Sequence, residues 1–208
     1  MSDPMRVTEV VGSYRKYGIV DQVTDVILAS AMEEGAEVEK IYLVDKNIEF
    51  CRNCRTCTQQ DGADRGKCQI TDDMSSILDE IEHSDSIVLA SPMNFGTVTA
   101  MMKKFIERLI CFAYWPWGMN APKARGNQTQ KRAVLIASSA APAVISRLSS
   151  QMVGLLKKAS TLLGAKPIGV IYVGLAAQDQ VQEITERTKE RAYRLGKQLA
   201  ASSRIQAA

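Results

Sequence analysis

Apolar positions along the chain follow two alternating rhythms. Short apolar or β-branched runs occur at Val7–Val11, Val38–Val44, Ser86–Ala90, Ala133–Ala137 and Ile168–Val173, each of strand length. Between them, apolar residues return at intervals of three and four. Ile19 to Glu34 puts Val20, Val23, Ile27 and Ala31 on one face and stops at Gly35. Met74, Ile77, Leu78 and Ile81 do the same behind the capping residues Thr71-Asp72-Asp73. Helical spacing recurs in Val98–Phe112, in Val144–Leu163 ahead of Gly164, and in Asp179–Ala201.

Strict strand–helix alternation predicts a parallel sheet with helices on both faces, because each right-handed crossover lays a helix against the sheet. The five strands are expected in the order 2-1-3-4-5. Where strand order reverses, a crevice opens at the carboxyl ends of the strands, and ligands bind there. Loops 12–19, 91–97 and 138–143 meet at that rim. No repeat, low-complexity tract or linker breaks the pattern, so residues 1–208 are expected to form one α/β domain.

Composition narrows the function. The 208 residues are 46% hydrophobic and 24% charged, ordinary for a globular protein. A net charge of +3, with no basic tract interleaved with aromatics, argues against a nucleic-acid partner. With no bilayer-length apolar run and no apolar leader after Met1, a cytoplasmic protein without a membrane role is expected. Five cysteines then suggest metal or redox use rather than a disulfide framework.

Three stretches carry candidate chemistry. Gly12-Ser13-Tyr14-Arg15-Lys16-Tyr17-Gly18 leads a strand into a helix, whose free N–H groups and dipole favour an anion. Ser13 offers a hydroxyl and Arg15 a forked cation. The loop lacks Gly-x-Gly-x-x-Gly, so a mononucleotide phosphate is expected rather than a dinucleotide. Ser91-Pro92-Met93-Asn94-Phe95-Gly96 suits a tight backbone against a flat ring, with Asn94 at the ring edge and Met93 or Phe95 beside it. Cys51-x2-Cys54-x2-Cys57, followed after ten intervening residues by Cys68, has the spacing to wrap an iron–sulfur cluster, to bind zinc, or to hold reduced thiols. Cys111 reads as a core residue and His83 as an exposed helix-end residue.

Gly12-Ser13-x-Arg15, Cys68-x3-Asp72-Asp73-Met74 and Ser91-Pro92-x-Asn94-Phe95-Gly96 with Lys103-Lys104-Phe105-Ile106-Glu107-Arg108 together resemble the NAD(P)H-dependent FMN reductases of the flavodoxin-like fold, including their iron–sulfur flavoprotein branch. The resemblance covers residues 6 to 110. It implies a flavodoxin-like three-layer sandwich binding FMN, with Ser13, Arg15, Gly18, Ile19 and Val20 around the phosphate and Pro92, Met93, Asn94 and Phe95 around the isoalloxazine. Ser138 and Ser139 of the third loop approach the same ring. Ile19-Val20 stands where the family often has hydroxyl side chains, which leaves the phosphate to backbone N–H groups. The flavin would carry the chemistry, reduced by NAD(P)H and reoxidised by a quinone, a free flavin, another small acceptor or a redox protein. Cys51, Cys54, Cys57 and Cys68 are the candidate ligands of a 4Fe-4S cluster, with an iron–sulfur electron carrier as the alternative function. A non-enzymatic metal or redox-sensing module is the third. A homodimer, or dimers paired as a tetramer, is also implied, and Tyr114-Trp115-Pro116-Trp117-Gly118 is expected to cover the flavin, seal a subunit contact or form a satellite cluster.

Overall fold

The computed structural model describes residues 3–125 and 131–201; residues 126–130 of the long 113–131 connection lie outside them. The elements run β1 (Arg6–Val11), α1 (Ile19–Glu33), β2 (Glu37–Tyr42), α2 (Met74–His83), β3 (Ser86–Asn94), β4 (Thr97–Val98), α3 (Ala100–Arg108), β5 (Ala113–Tyr114), β6 (Lys123–Ala124), β7 (Lys131–Ser138), α4 (Ala143–Ser149), α5 (Met152–Leu162), β8 (Ala165–Val173) and α6 (Glu186–Ala200). The five long strands form a parallel sheet in the order β2-β1-β3-β7-β8, the predicted 2-1-3-4-5 arrangement of a flavodoxin-like fold.

Alternation along each strand divides the core in two. Val10, Leu89 and Leu135 face α2, α3 and α5, where Ile77, Phe105 and Met152 bury their side chains. Val11, Val88 and Val134 face α1 and α6, against Ile27 and Leu199. With both faces covered, the central strands are apolar almost throughout, which is why short runs sufficed to locate them.

Four predicted boundaries change. The third strand passes Ala90 and Pro92 to Asn94, because it folds back on β4 as an antiparallel hairpin pairing Met93 with Val98 and Asn94 with Thr97. The helix expected over Val98–Phe112 is α3 followed by a 3-10 turn, Leu109–Phe112. The helix expected over Val144–Leu163 divides at Ser150-Gln151, since Met152 and Leu156 turn to the core whereas Val144, Ile145 and Leu148 of α4 stay exposed. The last helix begins at Glu186 rather than Asp179, with Thr185 Oγ1 accepting the Thr188 N–H at 3.3 Å; residues 174–184 form a loop on the ligand rim.

Candidate functional site

The loop after β1 is pinned from beneath. The Gly12 N–H donates to the Ala90 carbonyl at 2.7 Å, and the Thr99 hydroxyl donates to the Gly12 carbonyl at 2.6 Å. Gly12 is required by close approach, since a Cβ there would lie 2.6 Å from Met102 Cβ. The Ser13 hydroxyl accepts the Arg15 N–H at 3.1 Å and donates to the Arg15 carbonyl at 2.8 Å. Its proton is therefore engaged in shaping the turn. Gly18 caps α1 without a side-chain hydrogen bond, and among the described residues the N–H groups of Ile19, Val20 and Asp21 have no acceptor. Those groups and the exposed Arg15 are what the loop offers an anion.

A buried carboxylate holds this loop open. Asp21 accepts the Tyr17 N–H and the Tyr42 hydroxyl at 2.5 and 2.9 Å and pairs with Lys40 at 2.5 Å. Burial pushes its carboxyl upward, but those hydrogen bonds outweigh it and hold the group below the usual carboxylate range. Tyr17, held at φ 64°, has an exposed side chain and forms part of the rim of the cavity described next.

Above the loop lies a cavity of about 480 Å³. It joins Ser13, Arg15, Gly18, Ile19 and Val20 to Pro92, Asn94 and Ser138, so eight of the eleven residues expected around a flavin share one space. Met93 instead packs on the core beside α3. Phe95, at φ 47° before Gly96 at φ 77°, sits fully exposed at the tip of the β3–β4 hairpin. This left-handed pair makes a tight hairpin turn, and an aromatic residue in that conformation costs about 1–3 kcal/mol. Ser139 is buried, its hydroxyl bonded to the Ala141 carbonyl at 2.9 Å. Asp179, Gln180, Val181 and Gln182 complete the cavity wall. They were absent from the expected set because their stretch reads as the start of a helix.

The cysteine loop forms a second cavity, of about 450 Å³, lined by Cys51, Cys54, Cys57 and Cys68 together with Arg55, Arg108 and Trp115. Burial first, and then the nearby Cys68, Cys51 and Cys54, push the Cys57 thiol up to about 11. Asn53 and Arg55, at φ 52° and 60°, flank Cys54 and curl the backbone around the cavity, a left-handed path of the kind that turns N–H groups inward. Arg55 lies between the rings of Trp115 and Trp117, 3.9 and 4.2 Å from their centroids, so the aromatic segment clasps the cysteine loop. Among the described residues no three metal-binding side chains converge on a single point. Four thiols lining one cavity are a donor set that an iron–sulfur cluster takes, each sulfur binding a different iron. Cys111 is buried in the core and His83 is exposed at the end of α2, as expected.

Residues 5–180 match the family model described as NADPH-dependent FMN reductase. The chain belongs to that family. An iron-sulfur flavoprotein of Archaeoglobus fulgidus is 37% identical over 112 residues, 54% of this chain and 49% of the relative. An iron-sulfur flavoprotein of Methanocaldococcus jannaschii is 36% identical over 104 residues, 50% of this chain and 51% of the relative. The chain spans about half the length of the curated relatives it matches. The NAD(P)H:quinone oxidoreductase of Methanothermobacter marburgensis superposes with a TM-score of 0.69 at 16% identity, covering 95% of this chain and 100% of that one. An FMN-dependent NADH-azoreductase of Bacillus anthracis, in complex with FMN, gives 0.65 at 13% identity, covering 94% and 97%. At those identities the structures establish the shared fold.

As an FMN reductase family member, the chain has residues that fit FMN. An uncapped helix terminus beside the exposed Arg15 opens into the same cavity as the rim of β3 and β7, a continuous space with room for an anion at one end and a flat ring at the other.

Proposed function

We propose that this chain is a single FMN-binding domain that takes reducing equivalents from NAD(P)H and passes them to a small acceptor such as a quinone or free flavin. The observation that carries the reading is the cavity joining the uncapped start of α1 to Pro92, Asn94 and Ser138. Bound there, FMN supplies the hydride-accepting chemistry. Arg15 and the N–H groups of Ile19, Val20 and Asp21 hold the phosphate; Pro92, Asn94 and Ser138 orient the ring. Donor and acceptor use the exposed face of the ring in turn, and the unit at work is a cytoplasmic homodimer. Anaerobic mixing of the FMN-loaded protein with NADPH or NADH is expected to bleach the flavin, and no bleaching with either overturns the reading.

Arg15→Ala tests the phosphate position. Loss of a charged hydrogen bond worth about 1.5–3 kcal/mol is expected to weaken FMN binding by roughly tenfold to a hundredfold. Fluorescence titration measures it, and an unchanged Kd places the phosphate elsewhere.

A second reading, an electron carrier with a cluster held by the cysteine loop, is favoured by four cysteines sharing one cavity and by relatives named iron-sulfur flavoproteins. Iron and sulfide analysis after anaerobic purification tests it. Membership of a reductase family favours the oxidoreductase over the non-enzymatic sensor.

A further inference from the structure

Arg108, the last residue of α3, reaches the cysteine cavity with its side chain only 3% exposed. Its Nη1 donates to Asp72 Oδ2 at 2.5 Å and to the Glu49 carbonyl at 2.9 Å. Its Nη2 donates to Asp72 Oδ1 at 3.2 Å and to Cys68 Sγ at 3.5 Å. Asp72 also accepts the N–H groups of Glu49 and Met74, at 2.8 and 3.1 Å, so the carboxylate is fully engaged and holds the guanidinium in one orientation. Burial disfavours the cation, yet the Asp72 partnership outweighs it and keeps the guanidinium charged.

A fork held this rigidly by a buried carboxylate would suffice to close the loop, because it ties Glu49, ahead of Cys51, to Asp72, beyond Cys68. The bond to Cys68 Sγ does something more. A donor on a ligand sulfur stabilises negative charge there, and a redox centre bound through that sulfur carries more negative charge once reduced.

We propose that Arg108 is a positioning residue that raises the reduction potential of an iron–sulfur centre ligated by Cys51, Cys54, Cys57 and Cys68, acting through its hydrogen bond to Cys68. The proposal rests on the second reading above. Arg55, the other guanidinium on this cavity, is held by the tryptophan pair and by the Trp115 and Pro116 carbonyls, which leaves Arg108 as the cation bonded to a cysteine sulfur among the described residues.

The test is an anaerobic redox titration of the full chain with dithionite as electron donor, read by electron paramagnetic resonance. One electron passes from reductant to centre, with no bond made or broken in the protein. Arg108→Gln combined with Asp72→Asn keeps a neutral hydrogen-bonded pair and strands no buried charge; Arg108→Lys keeps the charge without the fork. In the double variant, with iron and sulfide at wild-type levels, the ratio of reduced to oxidised centre at a fixed potential is expected to fall about tenfold, equivalent to about 59 mV for one electron. Arg108→Lys recovers part of that shift. A clamp alone changes iron content and leaves the potential of the retained centre unmoved. An unmoved potential at full iron content, or loss of iron from both variants, overturns the Arg108 assignment while leaving the cluster reading standing. Wild-type protein without iron and sulfide overturns both.

Discussion

Under the proposed cluster reading, Gly66→Ala is expected to lower the iron held by the cysteine loop while leaving flavin binding intact. A Cβ at this position would lie 1.6 Å from the Cys57 carbonyl oxygen and 2.6 Å from its carbon, and backbone atoms cannot move aside as a side-chain end does. The contact explains how Cys68 joins cysteines so far behind it. Residues after Cys57 loop outward and return at Gly66, whose N–H donates to the Cys111 carbonyl at 2.8 Å, while Arg125 Nη2 holds the Cys57 carbonyl at 3.2 Å. Forcing the two segments apart costs about 1–3 kcal/mol or more and withdraws Cys68 from the other three thiols. No residue between Cys51 and Cys68 lines the flavin cavity, so FMN affinity stays at the wild-type value. Iron and sulfide per chain, measured beside an FMN titration, check both halves; retained iron refutes the closure, and lost FMN affinity refutes the independence of the two cavities.

The two cavities differ in how far the sequence reveals them. The flavin cavity is built from strand ends and helix starts, whose signals are local: an apolar run ending at Gly12, and Ser91-Pro92 closing another. Topology then places those turns together. Ser13 looked like a phosphate donor because its hydroxyl is visible in the sequence, whereas its engagement with Arg15 depends on the fold of the turn. Phe95, expected beside the ring, stands exposed on a left-handed turn at Phe95-Gly96, and such turns are usually announced by Asn-Gly or Asp-Gly. Asp179 to Gln182 precede a true helix without a stop signal, so the wall they form was read as its first turn. The cysteine cavity depends on long-range contacts. Cysteine spacing names its ligands, but nothing local shows that Trp115 and Trp117 clasp Arg55, that Gly66 closes on Cys57, or that Arg108 reaches Cys68.

The stability of the wild-type protein is expected to fall between about pH 4.5 and 8 because of Glu9, and Glu9→Gln is expected to remove that part of the slope. Glu9 lies in the middle of β1, completely buried, beside its cross-strand neighbour Lys40. Burial pushes its carboxyl from 4.5 up to about 8, although Lys40 Nζ stands 3.9 Å away and pulls it down. Asp21 and Asp25 from α1 face the same ammonium at 2.5 and 2.6 Å, so Lys40 is already neutralised, and a third carboxylate gains little from it. Below pH 4.5 Glu9 is protonated in both folded and unfolded chains. Between 4.5 and 8 the folded chain keeps a proton that the unfolded chain releases, so each pH unit costs up to about 1.4 kcal/mol. Above 8 both forms are ionised and the loss is complete. Asp21, with its carboxyl held low, loses its contribution only as pH falls through the acid range, and Lys40, held above its ordinary value, only in strong alkali. Glu82 is also held up by burial, but it is common to both proteins and cancels in the comparison. Denaturant unfolding at pH 5, 6.5 and 8 should therefore show the variant gaining on the wild type at each step. Parallel curves would mean that Glu9 is ionised in the fold across this range. Because Asp21 ties Lys40 to the Tyr17 N–H, an ionised Glu9 also competes for the cation that braces the loop after β1, and FMN affinity should decline as pH rises through about 8, where Glu9 ionises in the folded chain, in the wild type alone.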